Sequence, residues 1–179
     1  MPASARGTLL LLRQFNHAHR SQILAILRPC LAIERWVSEI ADSRPYLDLD
    51  ALLRTASIAA SPFTMGELDA ALAHHPRIGD RVEGTSTEAR HSRAEQAGVS
   101  GTDATAQALA DGNRAYERVF HRVFLIRAAG RSATDILGAL KERLKNSAEE
   151  EAVIIETQLR EIAAIRLRTA FDNEGELGA

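Results

Sequence analysis

Thr64-Met65-Gly66-Glu67-Leu68-Asp69-Ala70-Ala71-Leu72-Ala73-His74-His75-Pro76-Arg77-Ile78-Gly79-Asp80 spells out a helix from its start signal to its stop. Thr64-x-x-Glu67 is a capping box, in which the hydroxyl and the carboxylate each satisfy a backbone N–H that the first helical turn leaves unpaired. Leu68, Ala71 and Leu72 then recur at the spacing of one helical face. Pro76 disfavours helical geometry at the residue before it, so the chain leaves the helix at His75 and enters a loop. The same grammar recurs further on. Thr85-x-x-Glu88 caps a helix expected to end at Gly98, and Ser132-x-x-Asp135 opens one with Ile136, Leu137, Leu140 and Leu144 inward and Asn146 as its stop. Ser147-x-x-Glu150 opens the last and longest, with Val153, Ile154, Leu159, Ile162 and Ile165 apolar and Arg160, Arg166 and Arg168 late, where cations suit the helix dipole.

Upstream, Ile23, Leu24, Ile26 and Leu27, and then Ile33, Val37 and Ile40, repeat at helical spacing and are interrupted at Pro29, which predicts two helical pieces. Arg44-Pro45-Tyr46 breaks the pattern, Asp48 or Asp50 caps a helix through Ala51, Leu52, Leu53 and Ala56, and Ser61-Pro62 breaks it again. Downstream, Leu109, Asn113, Tyr116 and Phe120 form a helical stripe with one polar member along the Thr105–Val119 segment and the residue that follows it. Val123-Phe124-Leu125-Ile126 is a continuous apolar run, read as buried helix or extended loop because no second strand exists to pair with it. The Val-Ile-Thr alternation of a sheet is missing throughout. The fold class is therefore all-α, a single compact multi-helix domain over residues 1–171, with 172–179 a flexible tail.

A chain of 179 residues with 45% hydrophobic and 26% charged residues can close its own core and reads as globular. Its formal net charge of -2, with both signs interspersed, gives no electrostatic reason to expect nucleic acid or an anionic membrane as partner. Cys30 is the only cysteine, which excludes a disulfide framework and fits a reducing compartment. Leu9 to Leu12 is too short an apolar run to cross a bilayer or to act as a signal peptide, so a cytoplasmic enzyme is the expectation.

The chemistry-bearing residues gather around the helix stop. Ser92, Glu95 and Gln96 lie at i, i+3 and i+4, which puts a hydroxyl, a carboxylate and an amide on one face of the helix after His75. A histidine at the negative end of a helix has its cation favoured, and an unperturbed pKa near 6.5 suits it to hold or release a proton around neutrality. Taken singly, His75 also reads as an ordinary helix-terminus histidine and Ser92-x-x-Glu95 as a cap, although that second motif falls inside a helix already capped at Thr85. His17-x-His19 lacks a carboxylate or cysteine to complete a metal site, so no metal is expected. Cys30 reads as core packing, and Asn113 and Tyr116 as structural.

Several motifs in this order resemble one family, the decarboxylases of 2-oxo-4-hydroxy-4-carboxy-5-ureidoimidazoline (OHCU). They are Arg44-Pro45-Tyr46, His75-Pro76-Arg77-Ile78-Gly79, Ser92-x-x-Glu95-Gln96, Asn113-x-x-Tyr116-x-x-x-Phe120, Val123-Phe124-Leu125-Ile126, Gly130-Arg131-Ser132, Arg143-Leu144-x-Asn146 and Ile162-x-x-Ile165-Arg166-Leu167. The resemblance implies a cofactor-free carboxy-lyase of urate and purine breakdown that yields (S)-allantoin, in an all-α fold commonly found as a homodimer. It implies His75 as the catalytic acid/base, with Glu95 and Arg166 also catalytic. Pro76, Ser92 and Gln96 would contact the ureidoimidazoline, and backbone amides of Phe124, Leu125 and Ile126 would hold its oxygens. The sequence departs from the family at His121, where Gly is usual and where a Gly would permit a positive φ. A catalytically silent helical interaction module is one rival reading, and a lyase or hydrolase for a related ureido or imidazoline compound is another.

Overall fold

The computed structural model describes residues 5–73, 75–79, 90, 91, 94 and 102–172, and among them every regular element is a helix. In chain order these are α1 Ala5–His17, α2 Arg20–Leu27, α3 Glu34–Asp42, α4 Leu49–Ile58, α5 Met65–Leu72, α6 Asp103–Phe120, α7 Ala133–Arg143 and α8 Ala148–Asp172. The expected caps are in place. Asp48 Oδ1 accepts from Ala51 N–H at 2.6 Å, the Thr64/Glu67 and Ser132/Asp135 boxes both close, and Ser147 N–H donates to Glu150 Oε2 at 2.8 Å. Pro29 falls between α2 and α3, as its missing N–H requires. The Thr85 cap and the end at Gly98 lie outside the described residues, though Arg90, His91 and Ala94 are helical. No helix among the described residues is long and apolar enough to cross a membrane.

The chain divides into two compact units, residues 1–63 with 160–179, and residues 64–159, so that α8 contributes its first half to the second unit and the rest to the first. In the first unit α2 packs on α3, and α4 packs on α3 and α1. Its core includes Phe15, whose ring meets Phe171 edge-on at 5.4 Å, and Trp36, whose indole N–H donates to Ala56 O at 2.8 Å. The break at Arg44-Pro45-Tyr46 is tied down by polar bonds. The Arg44 guanidinium donates to Phe15 O, Ala18 O and Ala41 O at 2.8–2.9 Å, and Asn16 exchanges two bonds with the Tyr46 backbone. Those carbonyls at the ends of α1 and α3 would otherwise lack partners.

In the second unit α6 packs along α7 around Leu109, Tyr116, Ile136 and Leu140. The approach is close: a Cβ at Gly112 would come within 2.8 Å of Leu140 Cδ2, so any larger residue there would make the Leu140 side chain shift. Phe124, Ile126 and Ala128 complete the same cluster. The apolar run at Val123–Ile126 is thus neither helix nor strand. It is an extended, buried connection laid against α6 and α7.

Candidate active site

The turn that carries His75 is built by its own sequence and then fastened to α6. After α5 the chain turns with Ala73 as C-cap, and His75 N–H donates to Leu72 O at 3.0 Å. Pro76 prevents another helical turn, and Gly79 takes a φ of +88°, which an L side chain seldom adopts. His75 and Pro76 are both half-buried. Three side chains fix their position. Asn113 Nδ2 donates to Ile78 O at 3.0 Å, Arg77 forms a two-pronged ion pair with Glu117 whose Nη2–Oε2 arm is 2.7 Å, and Asp69 on α5 pairs with Arg122 just beyond α6. The Arg77 hydrogen bond holds the Glu117 carboxyl below its ordinary range.

At the C-terminal end of α6 the helix stops at His121, whose φ of 55° and ψ of 27° are left-handed. Its N–H still closes on Glu117 O at 2.9 Å. A positive φ is therefore what this position requires, and histidine is among the residues that tolerate the region better than most. The departure from glycine leaves the chain leading straight into Val123.

Phe124, Leu125 and Ile126 are buried, and the backbone they form is gripped from below by a polar cluster. Arg143, at the end of α7, donates from Nη1 to Leu125 O at 2.6 Å and from Nε to Glu151 Oε1 at 2.8 Å. Its guanidinium carbon lies 4.7 Å from the centre of the Phe124 ring, a cation–π distance. Glu151 is 1% exposed and Arg143 7%, so the pair is desolvated, and its remaining valences are filled. Tyr116 Oη donates to Glu151 Oε1, and Asn146 Nδ2 donates to Oε2 at 2.9 Å. Burial, with the bond to Glu151, pushes the Tyr116 hydroxyl's pKa up, so it stays a donor. Farther along, Arg127 N–H donates to Gln158 Oε1 at 2.8 Å. For the N–H groups of Phe124, Leu125 and Ile126 no acceptor is found among the described residues.

Of the residues singled out from the sequence, His75, Pro76, Phe124, Leu125 and Ile126 belong to the second unit, and α6 anchors both segments through Asn113, Tyr116 and Glu117, three residues of one helical face. Ser92, Glu95 and Gln96 lie outside the described residues. Arg166 belongs to the first unit, is 4% exposed, and donates from Nη1 to Pro29 O at 3.3 Å. Sequence reasoning takes Asn146 as a helix stop, includes Arg143 only within the Arg143-Leu144-x-Asn146 motif, and gives neither Arg143 nor Glu151 a role. A signal existed. Glu151 falls on the buried stripe of Ile155, Leu159 and Ile162, and Arg143 on that of Ile136 and Leu140. A charge at a stripe position is a charge that must be paired.

His17 and His19 are both exposed, and His19 serves as N-cap of α2. No group of three or more His, Cys, Asp or Glu side chains is placed to hold a metal ion among the described residues. Cys30 is buried and donates toward Ile26 O at 3.6 Å, which fits packing.

Comparison with known proteins gives a consistent result. A family model described as OHCU decarboxylase matches residues 16–168. The uric acid degradation bifunctional protein TTL of Arabidopsis thaliana is 26% identical over 152 residues, a match covering 83% of this chain and 47% of that protein. The uric acid degradation bifunctional protein of Bacillus sp. (strain TB-90) is 25% identical over 170 residues, covering 94% of this chain and 33% of that protein. The chain thus spans half or less of these curated relatives. Two crystal structures share the fold: an OHCU decarboxylase in the presence of (S)-allantoin, with a TM-score of 0.68 at 22% identity over 87% of this chain and all of that one, and an (S)-allantoin synthase, with 0.66 at 16% over 88% of this chain and 53% of that one.

Proposed function

We propose, because the chain belongs to the OHCU decarboxylase family, that it decarboxylates OHCU to (S)-allantoin in urate breakdown, with His75 as the proton donor. Loss of carbon dioxide leaves an electron pair on a ring carbon. The substrate's conjugated ring delocalises that pair, and a proton delivered to one face makes a chiral product. The protein need supply only a proton, a mould and hydrogen-bond donors, with no cofactor.

The observation that carries this reading is the His75-Pro76 turn, half-buried and fastened to α6 by Asn113 and by the Arg77–Glu117 pair. A general acid has to be held at one distance from the carbon it protonates. Among the described residues no acceptor takes the N–H groups of Phe124 to Ile126, which supports a second role in the same unit, donation to substrate oxygens as negative charge spreads through the ring. The left-handed His121 keeps the helix end that glycine would give, which favours an active enzyme over an inert helical module.

Glu95, in this reading, adjusts the proton affinity of His75, and Ser92 and Gln96 bond the ring and ureido group, with Pro76 packing against it. Arg166 orients carbonyl or ureido oxygens. A tight clamp on the departing carboxylate would stabilise the ground state more than a transition state in which that charge is dispersing. Arg166→Lys would then lower turnover as well as affinity. We further propose that residues 1–171 act as one catalytic domain, as a homodimer in the cytoplasm; the tail expected over 172–179 lies, past Asp172, outside the described residues.

OHCU generated in situ from urate, with (S)-allantoin followed by circular dichroism, tests the assignment. His75→Asn should lower kcat by about 10²–10⁴-fold, the usual worth of a positioned general acid. Equal rates and equal product chirality for mutant and wild type would refute it.

A further inference from the structure

The buried cluster under the Phe124–Ile126 segment does more than hold the core together. Arg143 donates to Leu125 O at 2.6 Å, and the Leu125–Ile126 peptide is trans, so the Ile126 N–H points to the opposite side of the chain. Whatever fixes that carbonyl therefore fixes the direction of that N–H. A buried cation at the oxygen also polarises the peptide and makes its N–H a stronger donor. The neighbouring peptide is fixed as well, because Arg127 N–H is held by Gln158 at 2.8 Å, and Phe124 is held by the guanidinium face at 4.7 Å. Glu151 balances the charge, and Tyr116 and Asn146 fix Glu151 in turn.

An apolar core would stabilise this region at least as well, since a buried ion pair seldom outperforms well-packed hydrophobes. The expense of desolvating Arg143 and Glu151 calls for another explanation. Resting on the decarboxylase reading, we infer that Arg143 is a positioning residue for catalysis: through the Leu125 carbonyl it aims and polarises the Ile126 N–H as a donor to the oxygen of the substrate on which negative charge develops. Arg143 itself does not touch the substrate. Glu151 keeps it charged and in register.

The test separates positioning from stability. The double substitution Arg143→Met with Glu151→Leu removes the pair without leaving a lone buried charge, so it should fold, with an unfolding temperature lowered by the partners that the Leu125 carbonyl, the Tyr116 hydroxyl and the Asn146 amide lose. Its kcat should nevertheless fall about 10²–10³-fold, as on loss of one oxyanion donor, with KM changed by less than about threefold. In wild-type protein labelled with ¹⁵N-isoleucine, titration with (S)-allantoin should move the Ile126 amide resonance saturably. A folded double mutant with wild-type kcat overturns the inference, as does a wild-type Ile126 amide that (S)-allantoin leaves unmoved, and this second measurement decides the matter even if the double mutant does not fold. A wild type that never turns over OHCU refutes the underlying activity instead, so the two failures are distinguishable.

Discussion

The arginine–glutamate pairs Arg77–Glu117 and Arg143–Glu151, both in the second unit, differ in almost everything except their chemistry. Arg77–Glu117 ties the His75 turn to α6 at the surface, with the arginine side chain 48% and the glutamate 24% exposed. Arg143–Glu151 ties the Phe124–Ile126 segment from inside, at 9% and 1%. Water screens the first pair and offers either partner an alternative if the other is lost, so its net contribution is small. The second pair has no such alternative, and removing one partner strands a charge in the core. Location, then, decides what an ion pair is worth: the surface pair trims the position of a turn already shaped by Pro76 and Gly79, whereas the buried pair is the scaffold of its segment.

Substitutions should show the difference as a ranking. Glu151→Ala, which leaves Arg143 buried and alone, should cost about 3–5 kcal/mol in urea denaturation. Tyr116→Phe removes one hydrogen bond to the same carboxylate and should cost about 1.5–3 kcal/mol with little change in fold. Glu117→Gln should cost no more than about 1 kcal/mol. If Glu117→Gln and Glu151→Ala cost the same, the comparison is wrong.

Acid sharpens it further. The hydrogen bond from Arg77 lowers the Glu117 pKa from its ordinary value near 4.5. A depressed carboxylate contributes stability that is present above that ordinary value and is lost as pH falls through the lower folded-state value. Wild type should therefore lose a small increment below about pH 4.5 that Glu117→Gln never had, seen as converging stabilities of the two proteins in acid.

The elements with an unambiguous start or stop were legible in the sequence. Thr64/Glu67, Ser132/Asp135, Ser147/Glu150 and Asp48 placed four helix beginnings, and Pro29 and Pro76 placed two ends. The first helix was not read, because four consecutive leucines hide which of them face inward. Leu11 and Leu12 are buried while Leu9 and Leu10 are exposed. The path of Val123 to Ile126 was left open between helix and loop, since a short apolar run carries no period. What makes it an extended loop is Arg143, seventeen or more residues away, gripping a backbone carbonyl. Side-chain to backbone bonds of that reach leave no local pattern. The half of the candidate site that is a motif, His75-Pro76, was legible; the half that is a backbone direction was not.

The most direct test of the account is the enantiomeric composition of the allantoin that wild-type protein forms from freshly generated OHCU. A proton delivered from a fixed imidazole on one face predicts (S)-allantoin in large excess, at a rate well above that of spontaneous decay. Racemic product appearing at the spontaneous rate would contradict it.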